Sequence, residues 1–78
     1  MRATVVVRPK QGILDPQGEA VQGSLRKLGF DVSSVRVGRV IDLELADGLD
    51  LRAQVERMCA ELLANPLIES FEIQLGES

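Results

Sequence analysis

The alternation of apolar and polar positions divides the chain into three extended runs and two helical ones. In residues 2–8, Ala3, Val5 and Val7 fall on one face of a strand, and Thr4, Val6 and Arg8 fall on the other. A loop at 10–14 containing Gly12 leads to Asp15-Pro16, which reads as a helix start. Aspartate caps the free amides of a first turn, and proline suits a position where no backbone donor is needed. Val21, Leu25 and Leu28 then recur at helical spacing, and Gly29 reads as the stop.

Residues 32–45 could form a hairpin turning at Gly38-Arg39 or one long strand. The hairpin sets Val35 opposite Asp42 and Arg36 opposite Ile41, mixing charged and apolar groups on both faces. The single strand puts Val35, Val37, Ile41, Leu43 and Leu45 on one face, interrupted by Arg39. Its other face carries Ser34, Arg36, Asp42 and Glu44, with Val40 as the exception. Register follows the hydrophobic pattern where one face is buried, so the long strand is expected, bent or bulged at Gly38. A second helix follows Asp47-Gly48, with Asp47 or Asp50 as its cap. Leu51, Val55, Met58 and Leu62 form its apolar stripe, Cys59 and Leu63 lie beside it, and Asn65-Pro66 ends it. The last strand, 67–75, carries Leu67, Phe71, Ile73 and Leu75 on one face and Ser70, Glu72 and Gln74 on the other.

The order is therefore βαβαβ, and a single α+β domain over 1–78 is expected, with both helices on one face of a small sheet. The other face is left bare. A middle strand over 32–45 also outlasts its neighbours, so part of its backbone needs partners elsewhere. Oligomerisation through the sheet answers both needs, with Val6, Val32, Arg36 and Val40 as the candidate contact residues.

Composition sharpens this picture. The chain has 78 residues, one cysteine and no histidine, so neither a disulfide within the chain nor a zinc site can support a thin core. Small domains lacking both often gain stability by associating. A net charge of −3 and two scattered phenylalanines, Phe30 and Phe71, do not suit a nucleic-acid module. The three-valine run before Arg8-Pro9 is short for a secretory leader, and no run approaches a membrane span, so a cytoplasmic protein is expected.

No catalytic constellation emerges. Histidine, the commonest general base, is absent, and Cys59 lies in an apolar helix stripe where a thiol is inert. Asp42 and Glu44 alternate with leucines as on a solvated strand face, and Glu56 and Glu61 belong to a helix surface. Gly12 and Gly18 flank a helix start without phosphate-loop spacing. Catalytic, cofactor and metal residues are thus expected to be none. Arg8, Lys10 and Arg39 remain as candidates for meeting a partner's carboxylates, since arginine is enriched at interfaces.

Three stretches go further. Ile13-Leu14-Asp15-Pro16-Gln17-Gly18, followed by Ala20-Val21, resembles the "LDPQG-x-A" opening of the PurS family. Val35-Arg36-Val37-Gly38-Arg39 is similar to that family's "VR-x-GK" segment, with Arg39 where lysine is usual. Met58-Cys59-Ala60-Glu61-Leu62-Leu63-Ala64-Asn65-Pro66-Leu67-Ile68-Glu69 resembles its "MC-x-x-LLANP-V/I-I-E" signature, with Ser70 where aspartate is common. The likeness runs from about residue 3 to residue 75.

The resemblance implies a non-catalytic small subunit of formylglycinamide ribonucleotide amidotransferase, also called phosphoribosylformylglycinamidine synthase. That ATP- and glutamine-dependent ligase acts in de novo purine biosynthesis. A large synthetase subunit, with ATP and Mg, and a glutaminase subunit carry the chemistry. The small subunit forms dimers or tetramers and joins the two, so that ammonia passes between them. The alternative is a small α+β regulatory domain binding an amino acid or nucleotide at a protomer interface.

Overall fold

The computed structural model describes residues 1–76. Its elements are β1 (Arg2–Pro9), α1 (Pro16–Lys27), β2 (Arg39–Glu44), α2 (Leu51–Met58) with a π-helical turn Cys59–Leu63 at its end, and β3 (Glu69–Gly76). The βαβαβ order and the α+β class are as the pattern predicts. The strands form one antiparallel sheet in the order β2-β1-β3, so the middle strand of the sequence lies at an edge and β1 lies at the centre. Val5 sits between Ile41 and Ile73, Ala3 between Leu43 and Leu75, and Val7 between Arg39 and Phe71. Ala3, Val5 and Val7 are buried, with Val55 and Cys59 covering them.

Only α2 covers that face. Both helices were expected there, yet α1 makes no substantial packing contact with the sheet. Its expected buried stripe is open instead: Leu28 is 73% exposed, and Val21 is exposed as well. The helix itself is well specified locally. The Asp15 carboxylate accepts the Gly18 amide at 3.0 Å, with Pro16 in the first turn. At the far end Gly29 adopts φ +97°. Its amide and that of Phe30 return to the Arg26 and Leu25 carbonyls, the double bond that closes a helix through a left-handed residue.

Three boundary expectations are corrected. The long strand over 32–45 joins the sheet only at Arg39–Glu44: β1 runs on to Pro9, but the segment before Arg39 leaves it, the Val37 amide turning to the Asp15 carboxylate. Leu62 is 83% exposed rather than part of the α2 stripe. The Ala64 amide bonds back five residues to the Cys59 carbonyl, and this widened turn rotates the apolar face from Leu62 to Leu63 and Ala64. The last strand begins at Glu69 rather than 67. Asn65 folds 65–68 into a turn, its side chain accepting the Leu67 amide and its carbonyl the Ile68 and Glu69 amides. Of the two caps considered for α2, Asp50 holds the position, in a left-handed conformation (φ 55°) and without a side-chain cap bond.

Candidate subunit-contact surface

Two carboxylates organise the end of the sheet where β1 gives way to the α1 loop. Asp15 reaches both ways. One oxygen caps α1, and the other accepts the Val37 amide at 2.8 Å, tying the helix start to the segment entering β2. The Val37 and Gly18 amides hold its pKa below the ordinary value of 3.8, and the Arg36 guanidinium adds to the effect. Arg36, in the segment before β2, donates to the Pro9 and Lys10 carbonyls.

Glu69 is the second organiser. Arg39 grips it in a two-pronged pair at 2.7 and 3.1 Å and donates to the Leu63 carbonyl at 2.6 Å. Glu69 also accepts the Asn65 amide at 2.7 Å. The Arg39 hydrogen bond is the main cause of its lowered pKa, and the same bond raises that of Arg39. The arginine that interrupts the apolar side of β2 therefore bridges the end of the core, linking β2, β3 and the π-helical turn. Between these two clusters lies an open groove of about 300 Å³, lined by Ile13, Leu14, Val37, Ile68 and the Arg39–Glu69 pair.

Because both carboxylates have folded-state pKa values below their unfolded ones, their contribution is present at neutral pH and lost as the pH falls through the lowered values. Denaturant midpoints measured from pH 7 down to pH 3 should decline for the parent protein. Asp15→Asn should be less stable at pH 7 and decline less steeply on acidification. Parallel curves for the two proteins would show that the Asp15 bonds to Gly18 and Val37 contribute nothing to folding.

The remaining candidates separate into two groups. Val6 and Val40 are paired neighbours on the open face of the sheet, and Arg8, Arg36 and Arg39 join them around a shallow depression. Arg8 and Lys10 are exposed and form no ion pair among the described residues. Val32 stands apart beside α1, its carbonyl accepting Gln22 at 3.1 Å and Arg26 at 3.3 Å. The rest of the open face is polar, with Arg2 bonded to Glu44 and Thr4 to Asp42. Pattern reading missed the exposed apolar groups Leu14, Leu28, Phe30 and Leu67. Leu28 stood in the expected buried stripe of α1, and Phe30 follows the helix-stopping Gly29.

Among the described residues no three His, Cys, Asp or Glu side chains cluster as a metal site would require. Cys59 is buried, and burial, followed by the nearby Glu56 charge, pushes its thiol pKa up. Native thiol labelling should be slow and should accelerate in denaturant, whereas equally fast labelling in both would contradict the core placement. Cys59→Ser should cost roughly 1–3 kcal/mol if the hydroxyl finds no partner, read as a shifted denaturation midpoint.

The model of the PurS family, described as phosphoribosylformylglycinamidine (FGAM) synthase, matches residues 2–77. The chain belongs to the PurS family. The PurS subunit of FGAM synthase from Methanocaldococcus jannaschii is 39% identical over 77 residues, which span 95% of this chain and 93% of that one. The Bacillus subtilis PurS subunit is 37% identical over 78 residues, spanning 97% and 93%. A crystal structure of B. subtilis PurS superposes with a TM-score of 0.91, covering 97% of this chain and 98% of that one at 37% identity. A structure of PurLQS from Thermotoga maritima contains a chain that superposes with a TM-score of 0.77, at 29% identity and with 94% and 93% covered. The PurS family thus accounts for both the sequence and the fold along nearly the whole chain.

Proposed function

We propose that this chain is the non-catalytic assembly subunit of phosphoribosylformylglycinamidine synthase in de novo purine biosynthesis. The observation that carries this reading is the family match over residues 2–77, together with the likeness to a chain of the T. maritima PurLQS structure. ATP and Mg belong to the partner synthetase, ammonia is released by the partner glutaminase, and this chain holds the two in register as an oligomer. Ammonia released into water is protonated and diluted, so a subunit that fixes the relative position of two sites can govern turnover without reacting. No helix among the described residues is long and apolar enough to cross a membrane, which suits work in the cytoplasm. Arg8 and Lys10, exposed and without ion pairs among the described residues, are the groups offered to carboxylates of the larger subunits.

Reconstitution tests this reading. The synthetase and glutaminase subunits should turn over formylglycinamide ribonucleotide with glutamine only when this chain is added. The synthetase supplied with free ammonia should depend on it far less. Turnover by the isolated chain would contradict the proposal. Stabilisation of the isolated chain by an amino acid or purine metabolite, without any effect on the reconstituted reaction, would favour the regulatory alternative.

A further inference from the structure

We propose that the groove between the 10–14 loop and the 65–68 turn, with the basic depression beside it, receives a segment of a larger synthase subunit. In that segment an aliphatic side chain stands next to a carboxylate. The inference rests on the assembly reading above and adds where the contact lies and what chemistry it takes.

The two halves adjoin at Pro9, which lines both. On one side the groove of about 300 Å³ is walled by Ile13, Leu14, Val37 and Ile68. Leu14 is 70% exposed and Ile68 42%, so this wall is apolar surface left in water. On the other side Arg8, Lys10 and Arg36 surround a depression lined by no Asp or Glu.

That gathering of positive charge runs against a net charge of −3. Elsewhere arginines are matched: Arg2 pairs with Glu44, Arg39 with Glu69 and Arg57 with Glu61. Arg8, Lys10 and Arg36 form no ion pair among the described residues. The nearest acids belong to the apolar half and are already engaged. Asp15 accepts the Gly18 and Val37 amides, and Glu69 accepts Arg39 and the Asn65 amide. The basic half therefore suits a carboxylate from outside, and the apolar half suits an aliphatic side chain leaving water.

Both halves are set before anything binds. The Lys10 amide donates to the Ile68 carbonyl at 2.9 Å, fastening the loop to the turn. Asp15 holds Val37, and the Arg39–Glu69 pair closes the far side. Arg36 is fixed on the Pro9 and Lys10 carbonyls. A preformed surface loses little freedom on binding. A small anion alone would meet only exposed cations, where water and salt screen the attraction, and would leave the apolar half uncovered. A protein segment covers both, with an apolar anchor at the centre and charge at the rim.

The full chain assembled with the synthetase and glutaminase subunits is the system for the test. A water-soluble carbodiimide joins an amine to a carboxylate in direct contact: an amide forms, and the carbodiimide takes up the water and leaves as a urea. It should link Lys10 to an Asp or Glu of a larger subunit, in a peptide where that acid adjoins an aliphatic residue. No link, or a link only to another copy of this chain, would overturn the proposal. Lys10→Glu and Leu14→Asp should each bind the larger subunits at least about tenfold more weakly than the parent. Lys27→Glu, the same charge change at the end of α1, should bind within about twofold of it, and equal weakening there would reduce the effect to net charge and overturn the groove. Both groove variants should keep the parent mass in light scattering, whereas a lowered mass would mean that a second copy covers the groove instead. If circular dichroism shows a variant unfolded, the Lys10 link in the parent decides. Groove variants that bind and support glutamine-dependent turnover as the parent does would refute this surface and leave the assembly role standing. A parent that binds neither larger subunit would overturn both.

Discussion

Gly38→Ala is expected to destabilise the protein by roughly 2–4 kcal/mol, through overpacking of backbone rather than loss of a side chain. Gly38 immediately precedes β2, at the end of the segment that stays out of the sheet. A Cβ there would overlap the Val7 carbonyl oxygen and stand 3.3 Å from both the Val7 carbonyl carbon and the Arg8 side chain. Arg8 can swing aside, but Val7 cannot. It lies in the central strand, paired with Arg39 on one side and Phe71 on the other, and its side chain is buried beneath α2. Relief therefore requires β2 to separate from β1 at the rung where Arg39 reaches Glu69, weakening that pair too. For a chain of this size such a loss lowers the thermal midpoint by roughly 10–25 °C, measured at one fixed protomer concentration because association raises apparent stability. Gly23→Ala is the control. Nothing lies near its Cβ position in α1, and alanine in a helix interior is favoured over glycine by about 0.8–1 kcal/mol. A Gly38→Ala midpoint equal to that of the parent would show that β1 and β2 can part at this rung without cost.

The position of Gly38 also shows how much of the fold can be read from the chain. Period-two alternation identified the buried face of β1 and the matching faces of β2 and β3, because each strand packs that face against α2. The Asp15 cap and the Gly29 stop were legible for a similar reason, since both are local and follow from one or two residues. Partnership was not legible. The stripe Val21, Leu25 and Leu28 has the spacing of a buried helix face, but spacing does not say whether the covering surface belongs to the same chain. The alternation of 32–45 likewise describes an extended segment without saying where its pairing stops. Leu62 escaped for another reason: the π-helical turn changes the helical phase, and a fixed period cannot anticipate an inserted residue.

Arg39 shows the opposite case, an anomaly in the pattern that carried information. An arginine on the apolar side of a strand is costly unless its charge finds partners. Here it lies at the end of the core, where the guanidinium meets Glu69 and the Leu63 carbonyl. The sequence motif around Asn65 supplies both the turn that positions Glu69 and the amide that Glu69 accepts. The two family-like segments at 35–39 and 58–69 thus meet in one ion pair. This contact links β2, β3 and the π-helical turn at the surface, where an ion pair contributes about 0–1 kcal/mol. An Arg39 substitution should therefore perturb this end of the sheet more than global stability.

Val5→Lys and Val6→Lys should differ more than any other pair of neighbouring substitutions. Val5 is fully buried at the centre of the sheet, with Ile41 and Ile73 on either side and Val55 and Cys59 in the core above. A lysine there cannot reach water from the central strand without lifting α2. Burying its ammonium unpaired costs several kcal/mol, a large share of the 5–15 kcal/mol by which domains are stable. Val6 points to the open face, between Val40 and Glu72. A lysine at Val6 extends into solvent beside a carboxylate, so its effect should stay within about 1 kcal/mol. Circular dichroism and denaturant titration should show Val5→Lys unfolded or nearly so at 25 °C, and Val6→Lys folded with close to the parent midpoint. Comparable unfolding by both changes would mean that the two faces of β1 are not distinct.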